Sequence, residues 1–234
     1  MRTLTPPANP HVAREIVIDG KVTFPVITTF EQFVEWWSSD ARPERGRFSY
    51  LAGTVWIELG DEHEQGFSHN DARAEIDSVL RSIALGSGAG RTFAGGMRFT
   101  VRSAGLSTVP DEMFVLYATL QEGRVTLVPN RRRDSIEGLV GPPDMVLEVV
   151  SDASVEKDTV TLPGLYHAAG VPEFWRVDAR KEPRFEIFRW ADAGYVSMRQ
   201  PDGWWWSEVF GRDFLLTAGV DRLGLPQFTL EHRA

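Results

Sequence analysis

The sequence predicts an α/β protein built on a central β-sheet, and three stretches carry that prediction. Met145–Val150, MVLEVV, is an apolar run rich in β-branched residues, bounded by Pro142-Pro143 and Ser151-Asp152. A run of that length with those boundaries reads as a strand buried on both faces. The polar turn, short helix and second strand that follow, ending at Asp178, make one βαβ unit. Residues 69–83 set Ala72, Ile76, Val79, Leu80 and Ile83 at helical spacing, with the apolar stripe on the core. After Asp178, runs at 185–190, 195–199 and 204–210 alternate with turn residues, which predicts an antiparallel C-terminal meander.

The remaining elements follow in chain order. Residues 1–25 hold Pro6, Pro7, Pro10 and Pro25 and read as an extended arm with a short strand over 15–18. Thr28 or Thr29 caps a helix through Phe30, Phe33, Val34 and Trp37. A charged turn over 40–46 closes an N-terminal unit of residues 1–46, leaving 47–234 as the core domain with its meander. Residues 48–59 read as two strands hinged at Gly53, and 61–68 as a polar loop holding His63. Residues 91–102 form a strand with a bulge or bend at Gly95-Gly96, and 112–120 a further strand opened by Val109-Pro110-Asp111. A turn at Glu122-Gly123, a short strand over 125–128 and a loop with Arg131-Arg132-Arg133 lead into the βαβ unit.

Composition narrows the function classes. The 234 residues carry a net charge of −8, which weighs against a general nucleic-acid binder without excluding a local basic patch. There is no cysteine, so neither disulfides nor thiolate zinc sites are available. No run approaches the ~20 apolar residues of a membrane helix, and the first residues lack the apolar core of a signal peptide, so a cytoplasmic protein is expected.

Glu148 demands an explanation, because an unpaired carboxylate inside a buried strand costs several kcal/mol. It is expected to be protonated, paired with an arginine such as Arg98 or Arg176, or bound to a metal. Asp111 begins the other apolar strand. Neighbouring strands lie ~4.8 Å apart, so Asp111 and Glu148 can share one hard cation. Asp144 lies four residues, ~13 Å, from Glu148 along the strand, too far to ligate the same ion, and reads as a turn residue. Phosphodiester hydrolysis also needs a cation near the carboxylates, and Lys157 is nearest in sequence. His69, at the head of the long helix, offers a further donor or base. Lys157 otherwise reads as a solvated turn lysine, and Tyr166 and Trp175 as core.

Pro110-Asp111, PPDMVLEVVSDAS, Asp158 and LYHAAGVPEFWRVD together resemble the Uma-two family of restriction-type endonucleases, within the PD-(D/E)XK phosphodiesterase superfamily. The resemblance runs from about His69 into the meander. It implies a restriction-endonuclease-like fold with a mixed sheet flanked by helices, a bound Mg²⁺ (or Mn²⁺), and cleavage of DNA backbone phosphodiesters. Asp111 and Glu148 match the family's metal-binding acids, His69 the histidine opening its first core helix, and Asp158 and Tyr166 positions of the next helix. The chain departs from the pattern at Val150, where the superfamily has its lysine, and at Leu162, where this family carries the migrated lysine. Pro163-Gly164 then breaks or restarts the helix. Ser49 stands where the family has a glutamate. The expectation is therefore a Mg²⁺-dependent nuclease acting on DNA with catalytic Asp111, Glu148, Lys157 and His69, a homodimer being allowed. The alternatives are a catalytically impaired binding or regulatory module on the same fold, or a structural protein–protein module.

Overall fold

The computed structural model describes residues 15–18, 22–43, 46–58, 66–130, 135–180 and 183–234. The first 14 residues of the arm, the loop around His63 and the Arg131-Arg132-Arg133 run lie outside the described residues. In chain order the strands are β1 (Glu15–Ile18), β2 (Val22–Pro25), β3 (Arg47–Leu51), β4 (Thr54–Glu58), β5 (Gly90–Ala94), β6 (Arg98–Val101), β7 (Leu106–Thr108), β8 (Glu112–Leu116) and β9 (Thr126–Pro129). They continue with β10 (Ile136–Val140), β11 (Met145–Val150), β12 (Glu173–Asp178), β13 (Arg184–Arg189), β14 (Val196–Ser197), β15 (Trp205–Ser207), β16 (Arg212–Val220) and β17 (Pro226–Arg233). The α-helices are α1 (Phe30–Trp37), α2 (Gly66–Ser87), α3 (Tyr117–Gln121) and α4 (Leu162–Ala169).

Two six-stranded sheets organise the molecule. The central sheet runs β14-β13-β12-β11-β8-β5, and the second runs β4-β3-β7-β6-β10-β9. β11 and β12 pair in parallel from Met145↔Glu173 to Val150↔Asp178, which is the crossover the βαβ pattern predicts. β8 and β13 flank them antiparallel, so the central sheet is mixed. All six residues of β11 are buried, and its alternating side chains feed two cores. Met145, Leu147 and Val149 join Trp175 and Val177 against Ala72, Ile76 and Leu80 of α2 and Phe214, Phe228 and Leu230 of the C-terminal strands. Val146 joins Met113, Val115 and Phe174 against Leu162 and Tyr166 of α4 and Leu51, Phe99 and Leu106 of the second sheet. Each such side chain contributes ~1.5–3 kcal/mol on burial, so β11 is fixed from both sides.

A third cluster seats α1 on the hairpin β3–β4, where Phe33, Trp36, Phe48 and Tyr50 pack at ring-centroid distances of 5.2–5.9 Å. The Thr29 side chain caps α1 by accepting from the Gln32 N–H at 3.2 Å. The β3–β4 turn uses Ala52 at φ 46° and Gly53 at φ 96°, both left-handed, as a tight two-residue hairpin requires.

Four sequence expectations change. The single strand expected over 91–102 is two, β5 in the central sheet and β6 in the second, and of the bulge or bend expected at Gly95-Gly96 the chain takes the bend, as a turn between them. The strand expected over 112–120 ends at Leu116 and turns into α3. Buried Asp144 enforces that switch by accepting from the Leu116 N–H at 2.8 Å and the Thr119 hydroxyl at 2.7 Å. The meander is divided: β13 and β14 extend the central sheet, while β15 starts a separate antiparallel sheet with the long hairpin β16–β17. Lys157 sits in a π-helical turn, Lys157–Thr161, and is 7% exposed, not solvated.

Candidate active site

Glu148 is the fourth residue of β11, on the face that Val146 presents to α4. The β8–β11 register ends at Leu147 opposite Glu112, and Asp111 sits in the bend that leads into β8. The Asp111 N–H donates to the Leu147 carbonyl at 3.2 Å, and Asp111 Oδ2 accepts from the Val149 N–H at 2.9 Å. The charges of Asp111 and Asp158 both act on Glu148, so these acids are close neighbours. Their surroundings are dry: Asp111 and Glu148 are each 3% exposed.

Three other elements close around this pair. His69 Nε2, from α2, lies 3.5 Å from Asp111 Oδ2, and Arg47 Nη1, from β3, lies 3.3 Å from Asp111 Oδ1. Tyr166 of α4 donates its hydroxyl to Glu148 Oε1. Lys157 Nζ reaches Glu58 Oε1 of β4 at 2.5 Å and Asp158 Oδ1 at 3.6 Å. Asp158 is 2% exposed, and its Oδ1 has no hydrogen bond among the described residues.

Electrostatics separates the acids. Burial alone would raise the Asp111 carboxyl, but the contact and charge of His69, the charge of Arg47 and the Val149 N–H outweigh it and hold the pKa at about 2. Glu148 goes the opposite way. Burial and then the charges of Asp158 and Asp111 push it well above the ordinary carboxyl range, against the pull of Lys157 and the Tyr166 hydroxyl. Asp158 is raised to about 6, burial outweighing the charge of Lys157 and the Ser154 hydrogen bond. Burial would lower the Lys157 ammonium, yet the charges of Asp158, Glu148 and Glu58 raise it, so it stays cationic. The cluster is thus acid-rich around one fixed ammonium, a pattern of opposed shifts typical of sites that handle charge.

The structure therefore brings together all four residues singled out from sequence: Asp111, Glu148, Lys157 and His69. Among the described residues neither arginine offered as a partner of Glu148 forms an ion pair with it, although Arg176 lies opposite it in the β11–β12 register. Arg98 donates to the Phe48 carbonyl and the Ser107 hydroxyl, and Arg176 pairs with Glu186 at 2.6 Å. Glu58 and Arg47 had no signal of their own in the sequence, because both arrive from a hairpin of the other sheet. Tyr166 read as core, and the run LYHAA held no hint that its hydroxyl ends on Glu148.

A family model described as "Uma2: Putative restriction endonuclease" matches residues 30–218. Among solved structures, one described as "a putative nuclease belonging to DUF820" from Anabaena variabilis ATCC 29413 is similar, with a TM-score of 0.56 and 17% sequence identity. The similarity covers 78% of this chain and 90% of that one, and at such identity it shows a shared fold. No curated protein matches. The family match runs from α1 into β16 and takes in every residue of the acid cluster, so the chain belongs to the Uma2 family.

Proposed function

We propose that the chain is a metal-dependent endonuclease that hydrolyses DNA backbone phosphodiesters, with Asp111 and Glu148 holding Mg²⁺ (or Mn²⁺). One observation carries the proposal: two buried acids, Glu148 on β11 and Asp111 in the bend before β8, feel each other's charge beside a lysine ammonium. The family and the nuclease name of the Anabaena protein support it. Among the described residues no three His, Asp or Glu side chains form a ready metal cage. Mg²⁺ keeps several waters and uses one or two carboxylates, so a two-acid site fits it. The hard oxygen donors fit too, and the crowding that raises Glu148 is an excess of negative charge that a divalent cation relieves.

When bound, the ion polarises the phosphate and acidifies water. The chain's own residues supply the rest. Asp111 is a permanent anion, oriented by the Val149 N–H, His69 and Arg47. The Tyr166 hydroxyl fixes the rotamer of Glu148. Lys157, anchored by Glu58, offers a cation to the charge that develops as water bonds to phosphorus and the ester P–O bond breaks, the leaving alcohol taking up a proton. Leu162, at the family's lysine position, is fully buried beside Tyr166, and Lys157 provides the ammonium from one turn earlier.

Plasmid and single-stranded DNA incubated with Mg²⁺ or Mn²⁺ test this reading. Wild type is expected to cleave, and Asp111→Ala and Glu148→Ala to abolish cleavage while keeping the fold. Cleavage unaffected by both substitutions would remove these acids from the mechanism. Leu162 favours the rival reading, a fold retained for binding alone, which predicts DNA binding with no cleavage and no Mg²⁺ uptake by calorimetry.

A further inference from the structure

The rung that closes the hairpin β3–β4 carries two opposite charges that do not use each other. Arg47 and Glu58 are directly opposed in the register, which sets their side chains on one face and within reach of an ion pair. Among the described residues they form none with each other. Arg47 turns instead to Asp111 Oδ1, and Glu58 to Lys157 Nζ. One rung is thus divided between the two ends of the acid cluster.

The two oxygens of Asp111 are held differently. Oδ2 accepts from the Val149 N–H at 2.9 Å and faces His69 Nε2 at 3.5 Å, both groups on buried, fixed elements. Oδ1 has Arg47 Nη1 at 3.3 Å, long for a charge-assisted hydrogen bond, and the arginine side chain is 32% exposed at the rim of the site. Oδ1 is therefore the oxygen that can change partner without disturbing the fold. A Mg²⁺ bound to it at ~2.1 Å would lie no more than about 5.4 Å from that guanidinium nitrogen. Two cations so close repel, so ion and arginine compete for one oxygen. Glu58 offers a displaced arginine a second seat. Lys157 takes its Oε1, which leaves Oε2, and the Glu58 side chain is itself 34% exposed.

We propose that Arg47 is a placeholder for the divalent ion: its guanidinium neutralises Asp111 until an ion takes Oδ1, and it then turns across the rung to Glu58. The proposal rests on the reading of Asp111 as an ion ligand. It makes Arg47 a positioning residue that sets ion affinity, outside the ligand set, and it leaves Lys157 anchored. Exchanging one cation for another keeps the buried acid compensated throughout, which a dry site requires.

Calorimetry of Mn²⁺ without DNA compares wild type with Arg47→Gln, Arg47→Lys, Glu58→Gln and the double variant Arg47→Gln/Glu58→Gln, with melting in EDTA and in Mn²⁺ beside it. Arg47→Gln is expected to bind Mn²⁺ about tenfold more tightly, the factor recovered when a cation no longer covers the ligand about nine-tenths of the time. Arg47→Lys is expected to return the affinity toward wild type. The melting temperature of Arg47→Gln is expected to fall in EDTA, and its rise on adding Mn²⁺ to exceed that of wild type. Glu58→Gln is expected to weaken Mn²⁺ binding, and that effect to disappear in the Arg47→Gln background. Mn²⁺ binding unchanged or weakened in Arg47→Gln would overturn the proposal and leave the ion site standing, since removing a residue that only orients Asp111 weakens binding. An undiminished Glu58→Gln effect in the double variant would overturn the turn across the rung. No Mn²⁺ uptake by any of the proteins would remove the ion site, and both readings with it. The expected affinities without DNA cleavage would cost the nuclease reading and leave the placeholder standing.

Discussion

Glu112 offers a quantitative test of how this sheet treats its acids. It follows Asp111 in the chain but projects to the other face, where it is 0% exposed and neither carboxyl oxygen has a hydrogen bond among the described residues. Its cross-strand neighbours, Leu147 and Ala94, are apolar, and α2 brings Asp77 and Arg73 against it. Burial, then the negative charge of Asp77, raise its pKa from 4.5 to about 8, with Arg73 opposing. An acid raised by folding stabilises the protein fully below its unfolded pKa, and that stability is lost as pH climbs through the folded pKa. The window is therefore pH 4.5 to 8. At about 1.4 kcal/mol per pH unit the loss is at most about 5 kcal/mol, and local relaxation leaves about 2–4 kcal/mol. Glu112→Gln removes the titration while keeping the shape. Urea unfolding of both proteins at half-unit steps from pH 4.5 to 8.5 isolates it together with its coupling to Asp77, because the remaining titrating groups cancel in the difference. The variant is expected to match wild type near pH 4.5 and to exceed it by about 2–4 kcal/mol at pH 8. A difference that stays constant with pH, or a variant less stable at pH 8, would refute the argument.

Two further outcomes follow from named contacts. Lys157→Met keeps the length of the side chain without its charge and is expected to lower kcat for DNA cleavage by about 10²–10³ with little change in duplex affinity; an unchanged kcat would take Lys157 out of the reaction. Glu173, at the start of β12, accepts from Trp175 Nε1 and the Ser207 hydroxyl at 2.6 Å each and from the Glu208 N–H at 2.9 Å, tying the central sheet to the C-terminal one. Glu173→Ala orphans these donors and is expected to cost about 3 kcal/mol in thermal unfolding, whereas a loss under about 1 kcal/mol would show that water replaces the carboxylate.

Much of the fold was legible wherever burial wrote itself into a local pattern. MVLEVV could be read as a central strand because both of its faces are covered, and α2 because its apolar residues keep one stripe against that strand. Other elements are decided by tertiary partners. β7, LST, and β10, IEGLV, are short strands whose pairing in the second sheet defines them. In β16–β17 the outer residues are largely exposed, and only Phe214, Phe228 and Leu230 mark the buried face. Tyr117–Gln121 is helical because a carboxylate 27 residues downstream of Tyr117, Asp144, captures the end of β8. The same division holds at the site. A lone acid in an apolar strand announces itself, whereas Glu58 and Arg47 look like any surface charges until a second sheet folds over β11 and α4.

The π-turn at Lys157–Thr161 bears on where the proposed lysine can sit. Its hydrogen bonds close from residue i to i+5, so positions 157 and 162 stack on the same side of the helix, one wide turn apart. Lys157 and Leu162 are both buried there, one ending in an ammonium and the other in methyl groups. The proposed site thus takes its ammonium from position 157, five residues before Leu162 on the same helical stretch. Signatures that fix a lysine at one spacing would discard such a chain, while a search that asks which helix surface looks onto the acidic strand would keep it.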